Sequence, residues 1–295
     1  MSLYSIHALE YCYVSKYPKS AVIYGAHNEG TIKLPYCYML IRGKGITALV
    51  DVGLNRTDYG NYLADSYGVE NWHSPKEVLG EVGVRPEDIT HVFVTHAHFD
   101  HIGNLESFPK AKVYLQKREL EGWIWAMGLP DKMRWLMGGV DPGDMILCVE
   151  LSRDQRLVLV DGDAEDVLPG IDITAALDSH TFASMWVTVR NNGAKNTDDA
   201  WVMAGDLIYQ FENVEGKDSV QKIDSLYIPI GFATGSQLNS LLATDKMMKQ
   251  VGQQATHIIA GHEERVGQRF PSRTTKLGLR ISEIALADGA KSVIK

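Results

Sequence analysis

Cysteine is scarce in this chain: Cys12, Cys37 and Cys148 are the only three in 295 residues. Their odd number and the lack of any Cys-x-x-Cys spacing exclude a disulfide scaffold and a thiolate metal knuckle, and fit reduced thiols in a cytoplasm. A basic surplus is missing too. The formal net charge is −8, the wrong sign for a nucleic-acid surface. No apolar run approaches the roughly 20 residues that a bilayer crossing needs. The first ten residues lack a basic stretch followed by an apolar core, so no signal peptide is expected. No linker or low-complexity run divides the chain, and 45% hydrophobic content suffices for a large core. One domain over residues 1–295, meeting neither membrane nor nucleic acid, is the expectation.

What is present is concentrated in residues 95–104, where His96, His98, Asp100 and His101 put four metal-binding side chains within six positions. Residues 90–95 before them are apolar and β-branched and predict a buried strand, so the four groups sit on the loop at its C-terminal end. Loops at that edge carry the chemistry of α/β proteins. In a loop turning from extended to helical, positions 96 and 98 point one way while 100 and 101 fall on an adjoining face, so one segment can serve two neighbouring ions. Imidazole beside carboxylate suits a borderline ion that keeps a position open for water. Solvated polar residues or a helix cap would not need alternating histidines beside an aspartate.

The pattern His-x-His-x-Asp-His resembles the signature of the metallo-β-lactamase superfamily, which implies a four-layer αββα sandwich built of two βα halves. The resemblance runs through the rest of the chain. His180 follows the strand-like Ile171–Leu177, Asp206 ends residues 200–205, and His262 follows residues 256–261. Singly, each would be read as a loop or turn residue. By the family pattern, His96, His98 and His180 hold one metal, Asp100, His101 and His262 a second, and Asp206 bridges them. The implied cofactors are two divalent ions, zinc ahead of iron, manganese or cobalt. Asp51, in the Asp-x-Gly that ends residues 46–53, is implied as a support of the metal loop from behind. Relatives usually carry Gly directly before the third histidine and again shortly after it. Here residues 178–184 have none, which predicts a different loop path. His7, His27, His73, His91 and His257 are read as structural or surface residues. Residues 157–163 and 167–171 are read as a hairpin strand and turn opening the second half.

For function, the resemblance implies hydrolysis by a hydroxide made available near neutral pH between the metals. The stretch Gly205-Asp206-Leu207-Ile208-Tyr209-Gln210-Phe211-Glu212-Asn213 is similar to the N-acyl-homoserine lactonase branch, known for quorum quenching, and to pyridoxolactonase. Gly261-His262-Glu263 is a weaker match to the same branch. A lactonase opening a small-molecule ring is therefore expected, with Tyr209 donating to the carbonyl oxygen and Asp100 carrying a proton to the leaving group. Otherwise Tyr209 packs its ring under the following helix. The alternative keeps fold and metals and changes the bond: an aromatic ester, thioester, amide, aryl ether or halide.

Two regions carry further expectations. Residues 117–139 form an insert rich in Trp and Met, either the mouth of the site or a helical hairpin packed on the sheet or on a partner, with Gly122, Gly128, Gly138 and Gly139 lending mobility. Residues 1–40 hold Tyr4, Tyr11, Tyr13, Tyr17, Tyr24, Tyr36 and Tyr38, read as an N-terminal extension whose tyrosine surface makes a homodimer contact.

Overall fold

The computed structural model describes residues 2–294. Its two longest strands, Ser5–Pro18 and Thr31–Gly43, form an antiparallel hairpin. That hairpin lies inside an eight-stranded sheet whose spatial order is Ser272–Thr274, Arg280–Ala285, Ser5–Pro18, Thr31–Gly43, Ile46–Val50, His91–Phe93, Lys112–Gln116 and Leu157–Val160. Pairing is antiparallel as far as Ile46–Val50 and parallel beyond it. Parallel neighbours need a crossover, and these carry the helices Asp58–Tyr67, Pro75–Gly80, Phe99–Ile102, Lys117–Met127 and Pro142–Arg153. A second sheet runs Ile258–Ile259, Ala200–Met203, Ala183–Arg190, Ile171–Leu177, Ala164–Leu168.

Side-chain alternation along the strands fixes the layering. Ile6, Ile41, Val50 and Phe93 of the first sheet share one core with Met185, Val187 and Val189 of the second. Their neighbours on the other face, Leu9, Leu40, Leu49 and Val92, pack with Leu63, Leu79, Trp123 and Met145 from the helices. Each such buried side chain contributes roughly 1.5–3 kcal/mol. Across the second sheet, Trp186 Nε1 donates to Gln250 at 2.7 Å, which sets the helix Gln237–Gln250 on its outer face. The order helix, sheet, sheet, helix is the αββα sandwich expected from the motif.

Three local expectations are corrected. Leu157–Val160 is the parallel edge strand of the first sheet. The hairpin that opens the second sheet is instead Ala164–Leu168 with Ile171–Leu177. Residues 2–40 are no appendage: they are part of the first sheet, and Tyr4, Tyr11, Tyr36 and Tyr38 are buried within the chain. Of the seven tyrosines read as a dimer contact, Tyr13, Tyr17 and Tyr24 keep accessible surface. Finally, a Cβ at Gly122 would lie 2.4 Å from the Phe182 ring, and one at Gly139 3.2 Å from the His98 ring. These two glycines serve close packing, which fixes a segment rather than loosening it.

Candidate metal centre

Five strands deliver the site from their C-terminal ends. Ile46–Val50 leads to Asp51, His91–Phe93 to His96, His98, Asp100 and His101, Ile171–Leu177 to His180, Ala200–Met203 to Asp206, and Ile258–Ile259 to His262. All seven predicted ligands are buried and converge. His96, His98, His180 and Asp206 form one group, Asp100, His101 and His262 another, and the potential ligand atoms of each group lie within 4.8 Å of one another.

Asp206 faces both groups. Its Oδ1 lies 3.0 Å from His262 Nε2 and 3.2 Å from His101 Nε2, while Oδ2 lies 3.5 Å from His180 Nε2 and 3.8 Å from His96 Nε2. Gly205 makes that placement possible. It sits at φ +53°, and a Cβ there would meet Thr95 Oγ1 at 2.6 Å.

The outer nitrogens fix which face of each ring looks inward. His180 Nδ1 donates to the Phe232 carbonyl and His262 Nδ1 to the Pro35 carbonyl, both at 2.9 Å. A carbonyl only accepts, so each neutral ring keeps its Nε2 lone pair for the centre. His101 Nδ1 donates to Asp51 Oδ2 at 2.8 Å. Thr95 Oγ1 gives its proton to Asp51 at 3.0 Å, so His96 Nδ1, 3.1 Å away, donates to that hydroxyl. The result is a crowd of inward lone pairs: His98 Nδ1 stands 3.0 Å from His96 Nε2 and 3.1 Å from His180 Nε2.

The electrostatics divide the same way. Burial, helped by neighbouring imidazoles, holds His96 well below the ordinary histidine range and pushes His98 down to about 3; burial also lowers His180. Burial pulls at His101 and His262 as well, but there Asp206 and Asp100 outweigh it and both are raised. His101 Nε2, His262 Nε2 and Asp206 Oδ1 are buried without a hydrogen-bond partner despite their closeness. Buried polar atoms without partners cost about 1–3 kcal/mol each. Convergent lone pairs, partnerless carboxylate and imidazole atoms, and a donor set of five histidines and two aspartates fit divalent metal ions.

The loop bearing His180 has no glycine from residue 178 to 184 and still makes a left-handed turn. The left-handed turn falls on Asp178, at φ +49°, a conformation that Asp tolerates. Thr234 N donates to the His180 carbonyl at 2.9 Å, so residues 232–234 brace this ligand from outside the motif. The five remaining histidines stay apart from the centre. His7 is buried beside Glu283, 3.6 Å away, and His257 stacks on Trp201 with centroids 4.1 Å apart.

Tyr209 is at the centre. Its ring stacks on His262 at 5.3 Å and meets His180 edge-on at 5.8 Å. Burial first, then the charge of Asp206, keeps its phenol far above the usual tyrosine range, so it remains a proton donor. Sequence reading missed Glu119. It is fully buried, and Oε1 accepts from Ala97 N at 2.9 Å and Trp123 Nε1 at 2.7 Å. Oε2 accepts from Thr181 Oγ1 at 2.8 Å and Ala183 N at 2.7 Å. One carboxylate thus ties the residue between His96 and His98 to the loop after His180. Only its place in step with Leu120, Trp123 and Ala126 on one face of the helix Lys117–Met127 hinted at it. The Trp-rich segment serves two ends: Trp123 is buried against His98, whereas Trp135 is 68% exposed and faces Phe232 at the mouth.

The family model described as the metallo-beta-lactamase superfamily matches residues 34–247. The chain belongs to that superfamily. Among curated proteins it is 30% identical over 115 residues to a probable metallo-hydrolase of Mycobacterium tuberculosis, covering 32% of this chain and 37% of that protein. It is 31% identical over 100 residues to the N-acyl homoserine lactonase of Bacillus thuringiensis, covering 30% and 40%. The matched stretches thus span well under half of those relatives. Among solved structures, a quorum-quenching N-acyl homoserine lactone lactonase superposes with TM-score 0.62 at 17% identity, over 90% of this chain and 94% of that one. AidC, a dizinc quorum-quenching lactonase in complex with its product, superposes with TM-score 0.60 at 16% identity, over 97% and 96%. At such identities the superpositions speak for the fold. No helix among the described residues is long and apolar enough to cross a membrane.

Proposed function

We propose that this chain is a binuclear metal-dependent hydrolase that opens lactones of the N-acyl-homoserine lactone type. One observation carries the reading. Asp206 presents one oxygen to a three-imidazole group and the other to a second group of Asp100, His101 and His262, beneath a pocket that Tyr209 also lines. His96, His98 and His180 would hold one ion, Asp100, His101 and His262 the other, and Asp206 both. Such ions, zinc by the family resemblance although the donor set suits iron, manganese and cobalt as well, would supply Lewis-acid polarisation and a water whose pKa falls to about 7.

The chain's own groups do the rest. Tyr209, protonated and stacked beside His262, donates a hydrogen bond to the substrate carbonyl oxygen as negative charge grows there. Asp100, whose Oδ2 lies 3.5 Å from His101 Nε2 and 3.7 Å from His262 Nε2, lines the same pocket; held ionised, it would first accept the proton given up by the attacking water and then pass it to the departing alkoxide. Three unpaired cysteines support a reducing, cytoplasmic setting.

The test couples elemental analysis to proton release measured with a pH indicator. About two metals per chain and rapid opening of an acyl-homoserine lactone are expected. Tyr209→Phe should keep both metals and lose about 10- to 1,000-fold in kcat, the range for one oxyanion donor. Full activity of that variant would remove Tyr209 from the chemistry, and two metals with no lactone opened would overturn the substrate class.

A further inference from the structure

A second cleft opens on the helix-covered face of the first sheet, at the start of Ile46–Val50 and so about 13 Å along that strand from Asp51. Its volume, about 640 Å³, falls within the ~300–1,000 Å³ typical of ligand sites. Strand alternation builds its floor. Ile6, Ala8, Ile41 and Ala48 point into the core between the sheets, so Ser5, His7, Arg42 and Thr47 point the other way. In register, Ser5 lies opposite Arg42, Arg42 opposite Thr47, and His7 opposite Glu283. Residues 287–293 form the facing wall and are pinned at both ends: Ala287 N donates to Ser5 Oγ at 3.0 Å, and Arg273 Nε donates to the Val293 carbonyl at 2.9 Å.

This packing leaves His7 unsatisfied. It is 2% exposed and lines the cleft, yet neither ring nitrogen has a hydrogen-bond partner among the described residues. Glu283 Oε2, also without one, stands 3.6 Å from Nε2, too far to bond. Burial holds His7 below the ordinary histidine range against the pull of Glu283, and the charge of Arg42 pushes the same way. The neutral ring therefore offers one N–H and one lone pair. At the rim, Arg42 and Lys291 are exposed, and neither lies within 4.0 Å of a carboxylate among the described residues.

We infer that this cleft is a second binding site, separate from the metal centre, for a small organic oxyanion, a carboxylate or a phosphate monoester, that carries a hydroxyl at its other end. Arg42 and Lys291 hold the anionic head by charge-assisted hydrogen bonds. Glu283 repels a charge at the floor, which leaves the hydroxyl to meet His7, and a hydroxyl both donates and accepts.

Calorimetry on the metal-loaded protein tests this with 4-hydroxybutyrate and sn-glycerol 3-phosphate, and with butyrate and 1,4-butanediol, which each lack one end. At least one of the two hydroxylated oxyanions should bind, and which one does identifies the head. 4-Hydroxybutyrate should exceed butyrate by about 2- to 12-fold, the worth of one hydrogen bond, and His7→Phe should erase that margin. Because a carboxylate can also meet the metal ions, surface variants locate the binding: Arg42→Gln and Lys291→Gln should each weaken it by about 5-fold, the upper worth of an exposed charge pair, and keep the full metal content. Failure of both oxyanions to bind, binding that both surface variants leave intact, butanediol as good as the anions, or a hydroxyl margin that survives His7→Phe overturns the inference.

Discussion

Two buried carboxylates flank the metal loop and support it by different means. Asp51 acts on side chains: it accepts from His101 Nδ1 and the Thr95 hydroxyl, with one further bond from Thr95 N at 2.8 Å. Glu119 touches no predicted ligand ring. Its partners are two backbone N–H groups, a hydroxyl and an indole. Asp51 therefore orients one imidazole, whereas Glu119 sets the spacing between two loops that bring three imidazoles together. Burial lifts the Glu119 carboxyl above its ordinary range even against these four hydrogen bonds. A third buried carboxylate, Asp144, lacks such donors, and its Oδ2 has no hydrogen-bond partner among the described residues. What separates the three is who donates to them.

Substitutions can break that contrast. The largest effect is expected where the two metal groups meet, at Asp206. Asp206→Asn should lose metal and activity together, as read by elemental analysis, because the amide leaves the three-imidazole group without an anionic oxygen and weakens the hold of the second group. Glu119→Ala comes next. Four buried donors lose their acceptor, each worth about 1–3 kcal/mol if left unsatisfied, so urea midpoints should fall sharply and metal should be lost chiefly from the three-imidazole group. Asp51→Ala should cost about 10- to 100-fold in metal affinity, the usual worth of a partner that orients a ligand, and the loss should fall on the ion at Asp100, His101 and His262. Competition with a chromophoric chelator reads these affinities, and an equal loss at both sites in both variants would erase the distinction between ring support and loop support.

The smallest effect should have the opposite sign. Burial, then the charges of Asp141 and Glu106, raise Asp144 well above the usual carboxyl range. A group raised in the folded state lends stability below its unfolded pKa of about 4 and loses it as pH climbs toward the folded value. Asp144→Asn should therefore raise Tm, more at pH 8 than at pH 5. A lower Tm at pH 8 would mean that Asp144 has a partner after all.

The contrast also explains what could be read in advance. The seven candidate ligands and Asp51 were legible because metal chemistry demands particular residue types at short, ordered spacings after strands, and the αββα layering followed from the family pattern they belong to. Glu119 was not. A carboxylate can be a surface residue or a buried clamp, and the difference lies in donors 22 and 62–64 residues away along the chain. The same blindness misplaced the tyrosines of residues 1–40. Their spacing says strand, but only the flanking strands Arg280–Ala285 and Ile46–Val50 make the hairpin interior to a sheet rather than an appendage. Leu157–Val160 was misassigned for a related reason, because a short apolar strand carries no mark of which sheet it joins.

The pairing of Ser5–Pro18 with Arg280–Ala285 bears on how the protein is made. Synthesis delivers the early hairpin long before its neighbour, and the bond from His262 Nδ1 to the Pro35 carbonyl spans 227 positions. Closing contacts of that span costs chain entropy before any reward arrives, which slows folding. The nascent hairpin therefore waits with one edge unpaired, a template for wrong partners, until residues 280–285 leave the ribosome. The last of the seven inward-facing groups in chain order is His262, so the centre closes only after that residue has left the ribosome.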